Sequence, residues 1–243
     1  MTTNTQKFAA FDIDGTLVRW QFFHAIVHEL GRRGFIDAET HQVIRDARMH
    51  WKQREHTESF RAYESVLVHS YLTALEKINE DDHAAVIDGV FEEYKDQLFT
   101  YTRDKLREFK KEGRLIFAVS GSHELVLQKL AVHLGIDAFI GAAFEFKDGK
   151  YTGISRTPVH DKAAALRSLV DKHGATYKGS IAIGDSESDI AMLEMVDNPI
   201  AFNPSKGLLA EATKQGWRVV IERKNVVYEL ESDDGKYILA KTN

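Results

Sequence analysis

The chain has 243 residues, a formal charge of −5, 43% apolar and 28% charged residues, and no cysteine. That balance suits one or two globular units, excludes a disordered or fibrous chain, and leaves no basic footprint for a nucleic-acid backbone. Without cysteine there are no disulfides, thiolate nucleophiles or Cys-ligated metals, so any metal must be held by oxygen or His.

The opening MTTNTQK lacks the basic and apolar regions of a signal peptide, and no apolar run approaches the roughly 20 residues of a membrane span. A cytoplasmic protein with no membrane partner is expected. The first element is KFAAFDID, residues 7–14, an apolar run that reads as a buried parallel strand with an acidic pair at its exit. Residues 20–100 then lack a convincing strand and read as helical throughout. Phe22, Phe23, Ile26, Val27 and Leu30 mark an amphipathic helix ending near Gly31, and Val66, Leu67, Leu75 and Ile78 mark a later one. The aromatic stripe Trp51, Phe60, Tyr63 and Tyr71 is read as bundle core.

A second strand, RLIFAV at 114–119, runs into Ser120-Gly121-Ser122 and a helix with Leu125, Leu127, Leu130 and Leu134. AFIGAAFEF is a strand candidate and GKYTG, 149–153, a turn or hairpin. The helix DKAAALRSLV follows, opened by Lys162, and then SIAIGDSES, where 180–183 form a strand and Asp185 follows Gly184. PIAFN and WRVVIE add strands, and VVYELESDDGKYILAK reads as a terminal hairpin around Asp234-Gly235. Strands interleaved with helices at 101–112, 122–134, 160–173 and about 187–196 predict an α/β fold with a doubly wound, mainly parallel sheet. Its core comprises residues 1–19 and 101–243, and residues 20–100 form an inserted, all-helical cap. The chemical residues fall at strand exits, the edge at which open α/β sheets bind ligands.

In Asp12-Ile13-Asp14-Gly15-Thr16, two carboxylates share one side of an extended chain. One can attack phosphorus while the other handles protons, and Gly15 lets the backbone turn sharply. Alone, the string also fits a calcium loop or an ordinary turn. Asp185 to Asp189 can supply hard oxygen ligands for Mg²⁺ together with Asp12, or cap the next helix. Ser120 and Gly121 offer a hydroxyl and N–H groups to a phosphate, or a plain helix cap. Lys162, read alone, is a surface lysine, oddly placed in a first turn that favours anions. The eleven histidines form no H-x-x-x-H pair on a convincing helix face and read as surface or packing residues.

Taken in order, D-x-D-G-T, Ser-Gly, Lys and G-D-x-x-x-D resemble the haloacid dehalogenase-like superfamily over nearly all of residues 7–221. The resemblance implies a Rossmann-like core, with Asp12 as nucleophile and Asp14 as general acid and base. It implies that Ser120, Gly121 and Lys162 hold the phosphoryl group. Mg²⁺ would be ligated by Asp12, the Asp14 carbonyl and Asp185, with Asp189 supporting that site indirectly or through water. The VSGS segment, the GDSESDIAMLEMVDNPIAFNP stretch and the cap position look most like the phosphoserine phosphatase-like branch. Two departures bear on specificity. Gln21 stands where phosphoserine phosphatases carry Glu, and Ser186, Glu187 and Ser188 fill the first three positions of their G-x-N-D. Arg45, Arg48, Arg54 and Arg61 are equally candidates for a substrate carboxylate and for a solvated helix face. The implied function is two-step hydrolysis of a small phosphorylated metabolite by a monomer or homodimer. The alternatives are a phosphotransferase or sugar-phosphate mutase on the same core, and a non-catalytic phosphate-ligand binding module.

Overall fold

The computed structural model describes residues 6–54, 56, 58–233 and 235–242. The start, residues 1–5, and Asp234 of the expected terminal turn lie outside them. In chain order the elements begin with β1 (Gln6–Phe11), α1 (Phe22–Arg32), α2 (Ala38–Gln53), α3 (Ser59–Leu75) and α4 (Glu80–Tyr94). Next come α5 (Thr100–Lys111), β2 (Leu115–His123), α6 (Glu124–Leu134), β3 (Ala138–Lys147), β4 (Lys150–Arg156), α7 (Lys162–His173) and β5 (Ala175–Gly184). The chain ends with α8 (Ile190–Leu193), β6 (Asn198–Phe202), α9 (Lys206–Gln215), β7 (Arg218–Arg223), β8 (Val226–Asp233) and β9 (Lys236–Thr242). No helix of the described residues is long and apolar enough to cross a membrane.

Two compact units result. The first comprises Met1–Gln21, Tyr94–Ala142 and Thr157–Asn243. Its sheet runs β3-β2-β1-β5-β6-β7-β8-β9, parallel as far as β7 and antiparallel in the last two strands. Parallel strands are covered on both faces, which is why β1 reads as an unbroken apolar run: Phe8, Ala9, Ala10 and Phe11 are wholly buried. Leu166 and Leu169 of α7, Met192 of α8 and Leu208 of α9 pack on Phe8, Phe117 and Val119 in one layer. Phe109 of α5 meets Phe11, with ring centroids 6.3 Å apart. From β1 the chain moves outward through β2 and β3, then returns to β5 on the other side of β1. The strand order therefore reverses between β1 and β5, the topological switch point at which such sheets bind ligands.

The second unit comprises Phe22–Glu93 and Ala143–Arg156. Besides its helices it holds a hairpin that lies beyond the expected insert of residues 20–100. Asp148 and Gly149, both at positive φ, make the tight turn, and Phe146 pairs with Tyr151. Phe144 and Phe146 alternate onto one face of the strand, where Phe144 meets Tyr71 at 4.9 Å and Phe146 stacks on His83 at 5.2 Å. Tyr63 and Tyr71 are buried as expected of bundle core, whereas Trp51 is half-buried and stacks on Tyr63 at 5.4 Å. Of the arginines weighed for substrate contact, Arg45, Arg54 and Arg61 are exposed and Arg48 is half-buried.

Several boundaries differ from expectation for local reasons. Helix α1 runs through Gly31, and the left-handed glycine beyond it is Gly34, at φ +82°. Strand β2 continues through Ser120–Ser122 to His123, whose Nδ1 accepts from Leu125 N and opens α6. The helix expected at about 187–196 is a 3₁₀ turn, Glu187–Asp189, followed by the four residues of α8.

Candidate active site

The site is assembled at the carboxyl edges of β1 and β5, entirely within the first unit. Asp12 follows β1 directly, and its N–H donates to Ile183 O at 2.9 Å, so the pairing with β5 extends one residue into the loop. Its side chain is buried. The loop then folds back, with Leu17 and Val18 N–H both on Ile13 O. Gly15 sits at φ +84°, and a Cβ there would stand 2.3 Å from Asp185 Oδ2. Glycine is required twice over, for the backbone angle and for the approach of the two acidic loops. Gly184 plays a matching part, since a Cβ on it would lie 2.4 Å from Asp189 Cγ.

Lys162 corrects its isolated reading as a surface lysine. It is 3% exposed, and its Nζ donates to Asp12 Oδ1 at 2.8 Å and Asp189 Oδ1 at 2.6 Å. A cation at the first turn of α7 opposes the helix dipole, but Asp161 caps that turn by accepting from Ala164 N at 2.8 Å. Asp189 is fully buried, and its other oxygen, Oδ2, accepts from Asp185 N at 3.1 Å and from Ser186 N and Oγ at 3.0 Å each. Both oxygens of Asp189 are thus engaged in shaping the loop that presents Asp185.

Carboxylate oxygens of Asp12, Asp185 and Asp189 all lie within 4.8 Å of one another. Burial pushes the Asp12 carboxyl up to about 7, and repulsion from Asp189 and Asp14 adds to it against the pull of Lys162. Burial and the charges of Asp12 and Asp189 likewise hold Asp185 well above the usual carboxylate range. Burial opposes charge on Lys162, but Asp12 and Asp189 outweigh it and hold the ammonium above the ordinary lysine range. The cluster of three carboxylates thus holds one ammonium, which pairs with Asp12 and Asp189, and among the described residues Asp185 has no ion-pair partner. Hard oxygen donors short of positive charge fit a divalent cation such as Mg²⁺.

The Asp14 carboxylate stands apart from that triplet: its Oδ2 accepts from Ser122 Oγ at 2.5 Å. Ser120 is buried on the neighbouring strand, and its Oγ accepts from Ser122 N at 3.2 Å. A Cβ on Gly121 would press on Val159 at 2.5 Å, so this glycine keeps the segment close to the loop before α7. In sequence Ser122 is only the last residue of the Ser120-Gly121-Ser122 segment, which fits a phosphate site and a plain helix cap equally well. The available signal was its spacing of two from Ser120, which on extended chain puts both side chains on one face. A cavity of about 750 Å³ in the same unit opens instead at the amino ends of β6 and β7, lined by Asn198, Trp217 and Arg218 among others. It is remote from the acidic cluster.

Comparison with known proteins bears on this arrangement. The family model described as haloacid dehalogenase-like hydrolase matches residues 9–194. A phosphoserine phosphatase of Mycobacterium tuberculosis is 28% identical over 207 residues, covering 84% of this chain and 46% of that protein. The chain thus spans about half the length of that relative. A histidinol-phosphatase of Neisseria meningitidis is 24% identical over 229 residues, covering 88% of this chain and 98% of that protein. Among solved structures, a protein of unknown function from Bordetella pertussis superposes with a TM-score of 0.69 at 27% identity, covering 90% of this chain and 99% of that one.

Proposed function

The chain belongs to the haloacid dehalogenase-like hydrolase family, in its phosphoserine phosphatase-like branch, and from that premise we propose that it is an Mg²⁺-dependent phosphatase that hydrolyses a small phosphomonoester through a phosphoryl group carried on Asp12. The observation that carries this reading is the buried Asp12 carboxylate, held by Lys162 at 2.8 Å beside Asp185 and Asp189.

In the first step Asp12 attacks phosphorus and the ester P–O bond breaks, while Asp14 gives a proton to the departing alkoxide. In the second step Asp14 takes a proton from water, the water oxygen bonds to phosphorus, and the P–O bond to Asp12 breaks, releasing inorganic phosphate and the free Asp12 carboxylate. Ser120 Oγ and the N–H groups around Gly121 donate to the phosphoryl oxygens, and Lys162 places its charge between nucleophile and phosphate. Asp12, Asp185 and the Asp14 carbonyl are the residues that would hold the cation. When bound, Mg²⁺ supplies charge that keeps Asp12 ionised and offsets its repulsion from a phosphoryl dianion. Asp189, with both oxygens already engaged, orients Lys162 and the Asp185 loop instead of donating a ligand of its own.

The alcohol half of the substrate is open. One relative is named for phosphoserine and another for a histidinol phosphate, and Gln21 departs from the phosphoserine phosphatase pattern. Release of inorganic phosphate from p-nitrophenyl phosphate with Mg²⁺ is the first test. A panel of small phosphomonoesters that includes phosphoserine and histidinol phosphate, ranked by kcat/KM, then identifies the substrate. No Mg²⁺-dependent phosphate release from any of them would refute the reading.

A further inference from the structure

A carboxyl group that shuttles protons has two oxygens, and its efficiency depends on which one faces the reacting atoms. The geometry points to Ser122 as the residue that positions Asp14, an assignment that rests on the phosphatase reading above. Ser122 is wholly buried, and its Oγ donates to Asp14 Oδ2 across 108 residues of sequence. That hydroxyl is not needed to open α6, because His123 Nδ1 accepts from Leu125 N and serves as the cap. The Ser122 backbone is held on two sides. Its N–H donates to Ser120 Oγ at 3.2 Å, and β3 crosses so close that a Cβ on Gly141 would lie 2.8 Å from Ser122 O.

A hydroxyl fixed in this way does a specific thing. By donating to Oδ2 it fixes the carboxyl in one orientation while Asp14 gives a proton to the leaving group and later takes one from water. The bond is compatible with both states of Asp14, since Oδ2 remains an acceptor whether or not Oδ1 is protonated. Ser120 and Ser122 therefore divide the work of one short segment: Ser120 turns its O–H toward the phosphoryl group, and Ser122 turns its own toward the acid. Ser122 touches neither substrate nor metal in this assignment; it acts through Asp14 alone.

Proton donation matters most when the leaving group is a poor one, and this supplies the test. First-turnover rates of Ser122→Ala and Ser122→Thr are measured with an alkyl phosphate and with p-nitrophenyl phosphate. For Ser122→Ala, alkyl-ester cleavage should fall about 10-fold, while release of p-nitrophenol in the first turnover changes less than about 3-fold and KM stays put. Ser122→Thr keeps the hydroxyl and should return alkyl cleavage to within about 3-fold of wild type. Equal losses with both esters, an undiminished Ser122→Ala enzyme, or no recovery in Ser122→Thr would each overturn the assignment. The comparison is a ratio within one preparation, so partial misfolding cannot mimic it. A wild-type enzyme without turnover sinks the phosphatase reading and this assignment with it. An active wild type with an unchanged alkyl-to-aryl ratio in Ser122→Ala overturns the assignment alone.

Discussion

The two units bury polar groups of opposite kinds. The first buries charge: Asp12, Lys162, Asp189 and Glu222 are all under 10% exposed. Away from the acidic cluster the charge is matched within the chain, since Glu222 pairs with Arg19 and also accepts from Thr100 N at 3.0 Å and Tyr101 N at 2.8 Å. At the cluster it is not matched, and Asp185 stands beside two other carboxylates. The second unit buries groups that stay neutral. Burial pushes His24 down to about 3 and His83 to about 4, and drives the Tyr71 hydroxyl well above its usual range. Buried charge rarely repays its desolvation through stability alone, so the unit that carries it is where chemistry is to be sought. Substitutions in the first unit should therefore show in turnover, and substitutions in the second in stability and its pH dependence.

The largest effect that sharpens this contrast is Asp12→Asn, which removes the nucleophile with almost no change of volume. Turnover should fall by about 10⁴-fold or more with the fold intact. A purified Asp12→Asn protein with near-wild-type activity would break the comparison at its root. Next is the cation. EDTA should abolish activity and Mg²⁺ restore it, with Ca²⁺ a poor substitute because its looser coordination disturbs in-line geometry. Apart from activity, Mg²⁺ should raise the Tm of wild type and leave that of Asp185→Asn unmoved; equal rises in both would place the ion elsewhere.

Lys162→Met leaves Asp12 and Asp189 buried without their shared ammonium. Activity should drop about 10²- to 10³-fold by loss of electrostatic stabilisation, and breaking the buried network should cost about 3–5 kcal/mol in urea unfolding. Mg²⁺ should recover part of the stability and little of the rate. Full recovery of both would mean that Lys162 only balances charge.

How much of this was legible beforehand follows from what sets each feature. The apolar runs ending in Asp12, Ser120 and Asp185 are local, and they place those residues on one sheet edge because parallel strands buried on both faces carry a distinctive pattern. Lys162 was legible only through the order of motifs, because its burial depends on two carboxylates 150 and 27 residues away. The hairpin at 143–156 gave no sign of joining the helices, since that depends on Phe144 finding Tyr71 and Phe146 finding His83. The short α8 has a similar origin. Asp189 is drawn to Lys162 and to the loop N–H groups, so the turn before α8 follows the needs of the site and not helix periodicity.

The smallest predicted effect tests the neutral half of the contrast through His83. It is 1% exposed, its Nε2 lies 2.8 Å from the Tyr71 hydroxyl, and its ring stacks on Phe146. Its folded pKa of about 4 lies below the usual histidine value of 6.5, so on acidification the unfolded chain takes up the proton first. Stability from this site is fully present above pH 6.5 and drains away as pH falls toward 4, at up to about 1.4 kcal/mol per pH unit. Asp12 and Asp185 have raised pKa values and carry the opposite sign, because without metal the folded state protonates first and gains stability as pH falls. The two units should therefore diverge in acid. Amide exchange followed separately in α3–α4 and in β1–β5 should show protection falling faster in the helices between pH 7 and 5. His83→Phe removes the titration and also the partner of Tyr71. It should be less stable than wild type by about 1–2 kcal/mol at pH 7, with the gap closing as pH drops. A constant gap across that range would show that His83 does not supply the acid sensitivity.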